Sequence, residues 1–230
     1  MRLSDMLAVV FGLSVFSEVA YYVYVSATRK KKRSLSKKAQ AFGNQAIFFP
    51  DQGVACPKAT YDNSDTCGNP SCCFLHGPTS LRTLVHTLTS AERTLDVCVY
   101  MITCHALGDA ILSSHRRGRA IRIITEAEGD DMPGSQIGRL RAAGIPVRVN
   151  KHSSFLMHHK FALVDREVLI SGSFNWTRQA ITGNHENLLI TAEPDVVDLY
   201  VKEFAHLWKL FKPRPFRVPD VATGETEEPW

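Results

Sequence analysis

The chain is too short for two catalytic domains: 230 residues with 44% hydrophobic content build one sizeable globular domain plus an appendage. Most of it also lacks a net positive charge and is slightly acidic. The formal +4 comes from one stretch, because seven Lys/Arg lie between Arg29 and Lys38 with no acid among them, whereas from Ala39 onward 19 Lys/Arg face 21 Asp/Glu. Any nucleic-acid site must therefore be a local basic surface, since the field of the whole domain does not supply one. Charge is scarcest in Met6 to Ser26, MLAVVFGLSVFSEVAYYVYVS, where Glu18 stands alone. That run lacks the small-residue cleavage site of a secretory signal peptide, and its basic cluster, Arg29 to Arg33, follows the apolar core instead of preceding it. At roughly 1.5 Å per residue the run spans a bilayer core of about 30 Å. The positive-inside rule then keeps the C-terminal side in the cytosol. The expectation is a transmembrane signal anchor over 1–28, a basic tether over 29–46, a catalytic domain over 47–212 and a flexible, proline-rich tail over 213–230. An amphipathic or buried N-terminal helix is the alternative, which the charge placement disfavours.

Cysteine is nearly absent outside one segment, since four of the six fall between Cys56 and Gly77. In a chain facing the reducing cytosol, clustered Cys with a His points to a metal site before a disulfide framework. Zinc takes four tetrahedral ligands from such atoms. Cys56, Cys67 and His76 with Cys72, or Cys73 as the alternate, make five candidates for four places; free thiols are the competing reading, because the spacing is not that of a standard finger.

From Thr79 the pattern becomes regular. Leu81, Leu84, Val85 and Leu88 repeat at helical spacing, DVCVYMIT reads as a central strand, HALGDAILSSHRRG as a helix ended by Gly118, AIRIIT as a strand, SQIGRLRAAG as a helix and PVRVN as a strand. GNHENLLIT gives a later strand, and Val197, Tyr200, Val201, Phe204, Leu207 and Leu210 mark the buried stripe of a long final helix. Strands alternating with helices predict an α/β fold with helices on the sheet faces.

The chemistry concentrates in Met157 to Trp176, MHHKFALVDREVLISGSFNW. Residues alternate along a strand, so His158 and Lys160 share one face while Phe161 and Leu163 take the other. His159 falls on the far face, as a core or supporting residue. Ser173 and Asn175 share a face in the GSFN turn. Imidazole, ammonium, hydroxyl and amide together are what a phosphodiester needs: an attacking nitrogen, a cation for the non-bridging oxygens and two neutral hydrogen-bonding groups.

This pattern, H-x-K-x4-D-x6-G-S-x-N, resembles the phospholipase D superfamily, whose HKD motif reads here as His158, Lys160 and Asp165, followed by Gly172, Ser173 and Asn175. With the cysteine-rich insertion, the chain is most similar to the mitochondrial branch of that superfamily that includes the Zucchini endonucleases. The resemblance implies an α/β/α sandwich with a central mixed β-sheet. It also implies a phosphohistidine intermediate, no catalytic metal, a structural zinc in the 56–76 insertion and an outer mitochondrial membrane address, although charge alone does not separate that membrane from the endoplasmic reticulum. Superfamily chemistry uses two histidines and this chain has one HxK motif, so two copies must meet in a homodimer with a shared site. In the same superfamily an acid at the position of Glu186 orients the catalytic histidine, and Asp165 is then structural.

Three readings of function follow, the first implied by the resemblance. The first is a single-strand-selective endoribonuclease generating RNA 5′ ends in piRNA biogenesis, able by its chemistry to cut DNA as well. The second is a hydrolase cutting the anionic phospholipid cardiolipin to phosphatidic acid, and the third a membrane-tethered scaffold, which the intact motif disfavours. For the nuclease, candidates to line a basic groove are Lys151, Arg148, Arg178 and Arg119, with His152, Arg116, Arg117, Arg122, Arg139 and Arg141. The wall of the site discriminates: a strand of nucleic acid needs a narrow charged channel, acyl chains an apolar wall. The nuclease is the favoured expectation.

Overall fold

The computed structural model describes residues 37–151 and 155–213; the expected anchor Met6–Ser26, the cluster Arg29–Arg33, His152 and the tail beyond Pro213 lie outside them. Among the described residues no helix is long and apolar enough to cross a membrane. In chain order the elements are α1 Lys37–Phe42, β1 Asn44–Phe49, α2 Pro57–Asp62, α3 Ser80–Thr89, β2 Thr94–Val99, α4 His105–Arg116, β3 Ala120–Glu126, α5 Ala127–Asp131, α6 Ile137–Ala142, β4 Val147–Asn150, β5 Lys160–Val164, β6 Val168–Gly172, α7 Arg178–Thr182, β7 Glu186–Thr191 and α8 Pro194–Leu210. A helix and an edge strand thus occupy residues that the sequence pattern assigns to a tether. The strand exists because β7 offers it an unpaired edge, a long-range cause that the polar stretch before Phe48 does not reveal.

Seven strands form one mixed sheet in the order β1-β7-β6-β5-β2-β3-β4. β2, β3 and β4 run parallel, joined through helices, and β5, β6, β7 and β1 run antiparallel. The alternation predicted for β5 sorts the core. Phe161 and Leu163 pack with Cys98, Ile124 and Leu169 under Val197, Phe204 and Leu207 of α8. Val97, Ala162 and Val164 point the other way and are fully buried. That face is closed by α3 and α4, whose Leu84, Leu88, Leu107 and Ile111 are inaccessible to solvent. Cys98 behaves as a small hydrophobe, its Sγ 3.5 Å from the Met157 sulfur, and burial pushes its thiol far up.

Asp165 holds the end of the sheet remote from the GSFN turn. It and Arg166 form the β5–β6 turn with φ of +54° and +56°, a conformation that aspartate tolerates better than most residues, and Glu167 N–H closes on Val164 C=O at 3.0 Å. Its buried carboxylate accepts the backbone N–H groups of Glu92, Arg93 and Thr94 at 3.0, 2.7 and 2.8 Å. Asp165→Asn turns an amide N–H₂ toward donors that need an acceptor. The expected cost is roughly 2 kcal/mol, read as a lower urea midpoint at unchanged slope.

Candidate active site

One end of the sheet gathers the motif apart from Asp165. β2, β3 and β4 finish there, at Val99, Glu126 and Asn150; β6 finishes there at Gly172, and β5 and β7 begin there at Lys160 and Glu186. Carboxyl ends of parallel strands are where open α/β sheets leave a crevice. Gly172 is required at this end: a Cβ on it would stand 2.1 Å from the Asn187 carbonyl oxygen of β7, so no other residue lets β6 turn out into Ser173. Phe174 and Trp176 anchor the turn in the core, fully buried, with Phe174 stacked on Phe49 at 4.4 Å. The Trp176 carbonyl accepts the N–H groups of Thr103 and Cys104, both at 3.0 Å. Between these two anchors Asn175 Oδ1 is buried and has no hydrogen-bond partner among the described residues.

His158 precedes β5 and Lys160 opens it. The Lys160 Nζ lies 3.2 Å from both ring nitrogens of His158 and 3.0 Å from the His158 carbonyl oxygen. Equal distance from the two nitrogens sets the ammonium across the ring instead of along one lone pair. Burial lowers the Lys160 ammonium below its ordinary value of 10.5, and the charge of Glu186 opposes the shift. Ser173 Oγ donates to Glu186 Oε2 at 2.5 Å, and Asn184 Nδ2 donates to Oε1 at 3.0 Å. Glu186 has no such bond to His158 within the chain. β6 lies between β5 and β7, which separates the two by about 10 Å at the usual strand spacing. Asp165 is further still, across the five residues of β5, about 16 Å from Lys160. His159 is not in the core: its Nε2 is 3.6 Å from Glu203, and its ring meets Phe161 edge-on.

Two residues escape the motif. Tyr100, just after β2, sets its ring edge-on to His158 with centroids 5.0 Å apart, and its hydroxyl donates to Glu128. Glu126 is buried and accepts the Met157 N–H at 2.6 Å and Asn150 Nδ2 at 2.9 Å, which fixes the chain one residue before His158. Their signal in the sequence is position alone, at the carboxyl ends of β2 and β3.

The arginines expected to line a basic groove are mostly committed elsewhere. Arg122 makes a bidentate pair with buried Asp96 at 2.7 Å for each bond, Arg139 pairs with Asp109 at 2.7 Å and Arg141 with Asp130 at 2.6 Å. Arg117 donates to Thr89 O, and Arg119 to Ala91 O and Arg117 O. Arg119 precedes β3 and so sits at the Asp165 end of the sheet, remote from Lys160, while Arg116 ends α4. Arg178 opens α7 and lines, with Cys104 and His105, a separate cavity of about 520 Å³. Arg148 and Lys151 remain near the site end, at β4.

The cysteine segment folds back on itself. Cys56 N–H donates to Leu75 O at 2.8 Å and Leu75 N–H to Val54 O at 2.9 Å. Arg82 of α3 then holds the loop through His76 O and Asp65, at 2.8 and 2.7 Å. The ligand atoms of Cys56, Cys67, Cys72 and His76 all lie within 4.8 Å of one another, and Cys56 Sγ is 3.9 Å from Cys72 Sγ. Tetrahedral thiolate ligands at about 2.3 Å from a metal stand roughly 3.8 Å apart. The Nε2 atom of His76 is buried and has no hydrogen-bond partner among the described residues, while a backbone hydrogen bond at Asn69, then one with the His76 side chain, lowers the Cys67 thiol to about 7. These four residues fit a metal ion. Cys73 is exposed and outside the group.

Comparison with known proteins matches residues 84–208 to the family described as "Cardiolipin synthase, PLD-like domain". The chain belongs to the phospholipase D-like family. It is 42% identical over 171 residues to a protein of Danio rerio named mitochondrial cardiolipin hydrolase, covering 74% of each chain. It is 40% identical over 168 residues to one of the same name from Chlamydomonas reinhardtii, covering 73% of this chain and 74% of that one. Among solved structures, the phospholipase D family member Nuc from Salmonella typhimurium shares the fold, with a TM-score of 0.55 at 22% identity over 73% of this chain and 94% of that one. As a phospholipase D-like protein the chain is a phosphodiesterase, built on the mixed-sheet α/β architecture that its alternating pattern predicts.

Proposed function

We propose that the chain hydrolyses the phosphodiester of an anionic phospholipid of the cardiolipin type, releasing phosphatidic acid, as a homodimer anchored in the outer mitochondrial membrane by Met6–Ser26 with the catalytic domain in the cytosol. One observation carries the choice of substrate. A mostly apolar cavity of about 440 Å³, walled by Phe155, Leu156, Met157, Leu207, Leu210 and Phe211 with Asn150 and His159, includes His158 in its lining. Phe155, Leu156 and Leu210 are 84%, 57% and 61% exposed, which suits an acyl chain and not a stack of bases between cations. The names of the relatives support the same reading.

In this mechanism His158 Nε2 or Nδ1 attacks phosphorus, and the His158 of the second copy protonates the departing glycerol oxygen. Water, deprotonated by that second histidine, then displaces the phosphohistidine. Lys160 and Asn175 of both copies hold the non-bridging oxygens, so the charge a metal supplies elsewhere comes from ammonium groups. Glu186 keeps Ser173 in place beneath them. The cysteine insertion binds zinc as a structural ion.

Because the protonated Lys160 is the working form, kcat/KM should decline on the alkaline side at a pH below that of an ordinary lysine. Glu186→Gln removes the charge that opposes the shift, so this limb should move further toward neutrality. A pH profile of both proteins reads the effect.

The second reading, a single-strand endoribonuclease, draws on Arg148 and Lys151, cations near the site end without a carboxylate partner among the described residues. Full-length protein and His158→Asn, each given cardiolipin vesicles and labelled single-stranded RNA, separate the two. Lipid cleavage that vanishes in the variant is expected; RNA cleavage without lipid cleavage would overturn the choice.

A further inference from the structure

We infer that the cavity beside the site binds the phosphate of a second anionic phospholipid, one that is not being cut, with Arg148 as its principal ligand and Lys151 and Lys212 around it. This rests on the lipid reading above for the class of ligand and on separate observations for the site. The cavity measures about 440 Å³, and its lining includes Arg141, Arg148, Lys151 and Lys212 with no carboxylate among the described residues. Arg141 is committed to Asp130. Arg148 is not committed: its guanidinium carbon lies 4.2 Å over the Trp208 ring, and a cation over a ring face uses none of its five N–H donors. Arg122 shares that indole at 5.2 Å, but Asp96 neutralises it. Arg148 has no matching carboxylate among the described residues, so two guanidinium groups meet at one ring with a single counter-charge. An added anion completes the arrangement, and a phosphate accepts the planar fork through two oxygens.

The rest of the lining makes the ligand a lipid and not a bare anion. Val147, Val149, Leu210 and Phe211 form the apolar part of the wall. Asn150, Leu210 and Phe211 also line the cavity that reaches His158, so the two cavities adjoin across these side chains. The phosphate held here is not the scissile one. β4 is three strands from β5 in the sheet, about 14 Å at the usual spacing, beyond the reach of one phosphodiester. A neighbouring anionic lipid would thus help to seat the enzyme's mouth in the bilayer surface.

Trp208 supplies the readout. Full-length protein in a non-ionic detergent is titrated with dihexanoyl phosphatidic acid, dihexanoyl phosphatidylcholine, inorganic phosphate and a single-stranded oligonucleotide while tryptophan fluorescence is followed. Trp208→Phe assigns the signal. Phosphatidic acid should give a saturable change, phosphatidylcholine none, and phosphate a much weaker one. Arg148→Met should weaken the lipid by at least about tenfold, Arg148→Lys by less because the charge stays and the fork goes, and the exposed Lys151→Met in the same direction. Equal affinity in Arg148→Met and Lys151→Met overturns the site; an oligonucleotide binding more tightly than the lipid, or phosphate matching it, overturns the ligand. Cardiolipin hydrolysis is measured on the same samples. Failure to cleave with lipid binding intact refutes the substrate reading alone, and cleavage with no Trp208 response refutes this site alone.

Discussion

His158→Asn should lower phosphodiester cleavage by at least about 10³-fold, because it removes both the attacking nitrogen and, in the second copy, the acid for the leaving oxygen. The sharper result comes from mixing. If two imidazoles act on one phosphorus, a mixed dimer retains neither route intact, and activity follows the fraction of wild-type pairs. Equal amounts of the two proteins, denatured and refolded together, should then give about a quarter of the wild-type rate, whereas independent subunits give about half. The His158 ring is held by two groups outside the motif, Glu126 through the Met157 N–H and Tyr100 through its ring, and by Lys160 of the motif itself across the imidazole. A rate near half, or turnover without a histidine-linked phosphoryl adduct, would rule out the shared site.

Removing the proposed zinc should have the largest effect on stability. Cys56, Cys67, Cys72 and His76 come from both ends of a loop with little regular structure, held by one isolated bridge between Ala55 and Leu75 and by Arg82. An ion joining these four ligands orders about twenty residues that bury few apolar side chains of their own. Elemental analysis should find one zinc per chain, lost in Cys72→Ser. At a cost of about 3 kcal/mol the midpoint of thermal unfolding should fall by roughly 6–12 °C, and a chelator should reproduce the shift. Cys73→Ser should keep both metal and midpoint, since its side chain faces solvent. Metal retained in Cys72→Ser and lost in Cys73→Ser would reverse the ligand assignment.

Spacing made part of the site legible. His158 and Lys160 are two apart in an extended segment, and extended geometry alone places them side by side, as the 3.2 Å approach bears out. The regular helices and strands between Thr79 and Leu210 were legible for the same reason, since each carries its own period. Glu186 shows the limit. Its distance in sequence from the GSFN turn makes it, by the resemblance, a candidate partner of His158, yet its partners among the described residues are Ser173 and Asn184, with β6 standing between it and His158. The arginines show it more plainly. A run such as Arg116, Arg117 and Arg119 reads as a basic patch, and only the fold reveals that it lies at the Asp165 end of the sheet, where Arg117 and Arg119 hydrogen-bond to nearby carbonyls.

What the sequence determined by itself was the chemistry and the alternation: an imidazole and an ammonium on one strand face, a hydroxyl and an amide in a turn, five candidate metal ligands in one loop. Those follow from local geometry, which depends on neighbours a few residues away. The tertiary structure alone decided which cations stay uncommitted, that Cys72 and not Cys73 turns toward Cys56, and that the wall beside His158 is apolar. Each of those depends on which strand lies next to which, and strand order is set by burial summed over the whole sheet, a quantity no short stretch of residues contains.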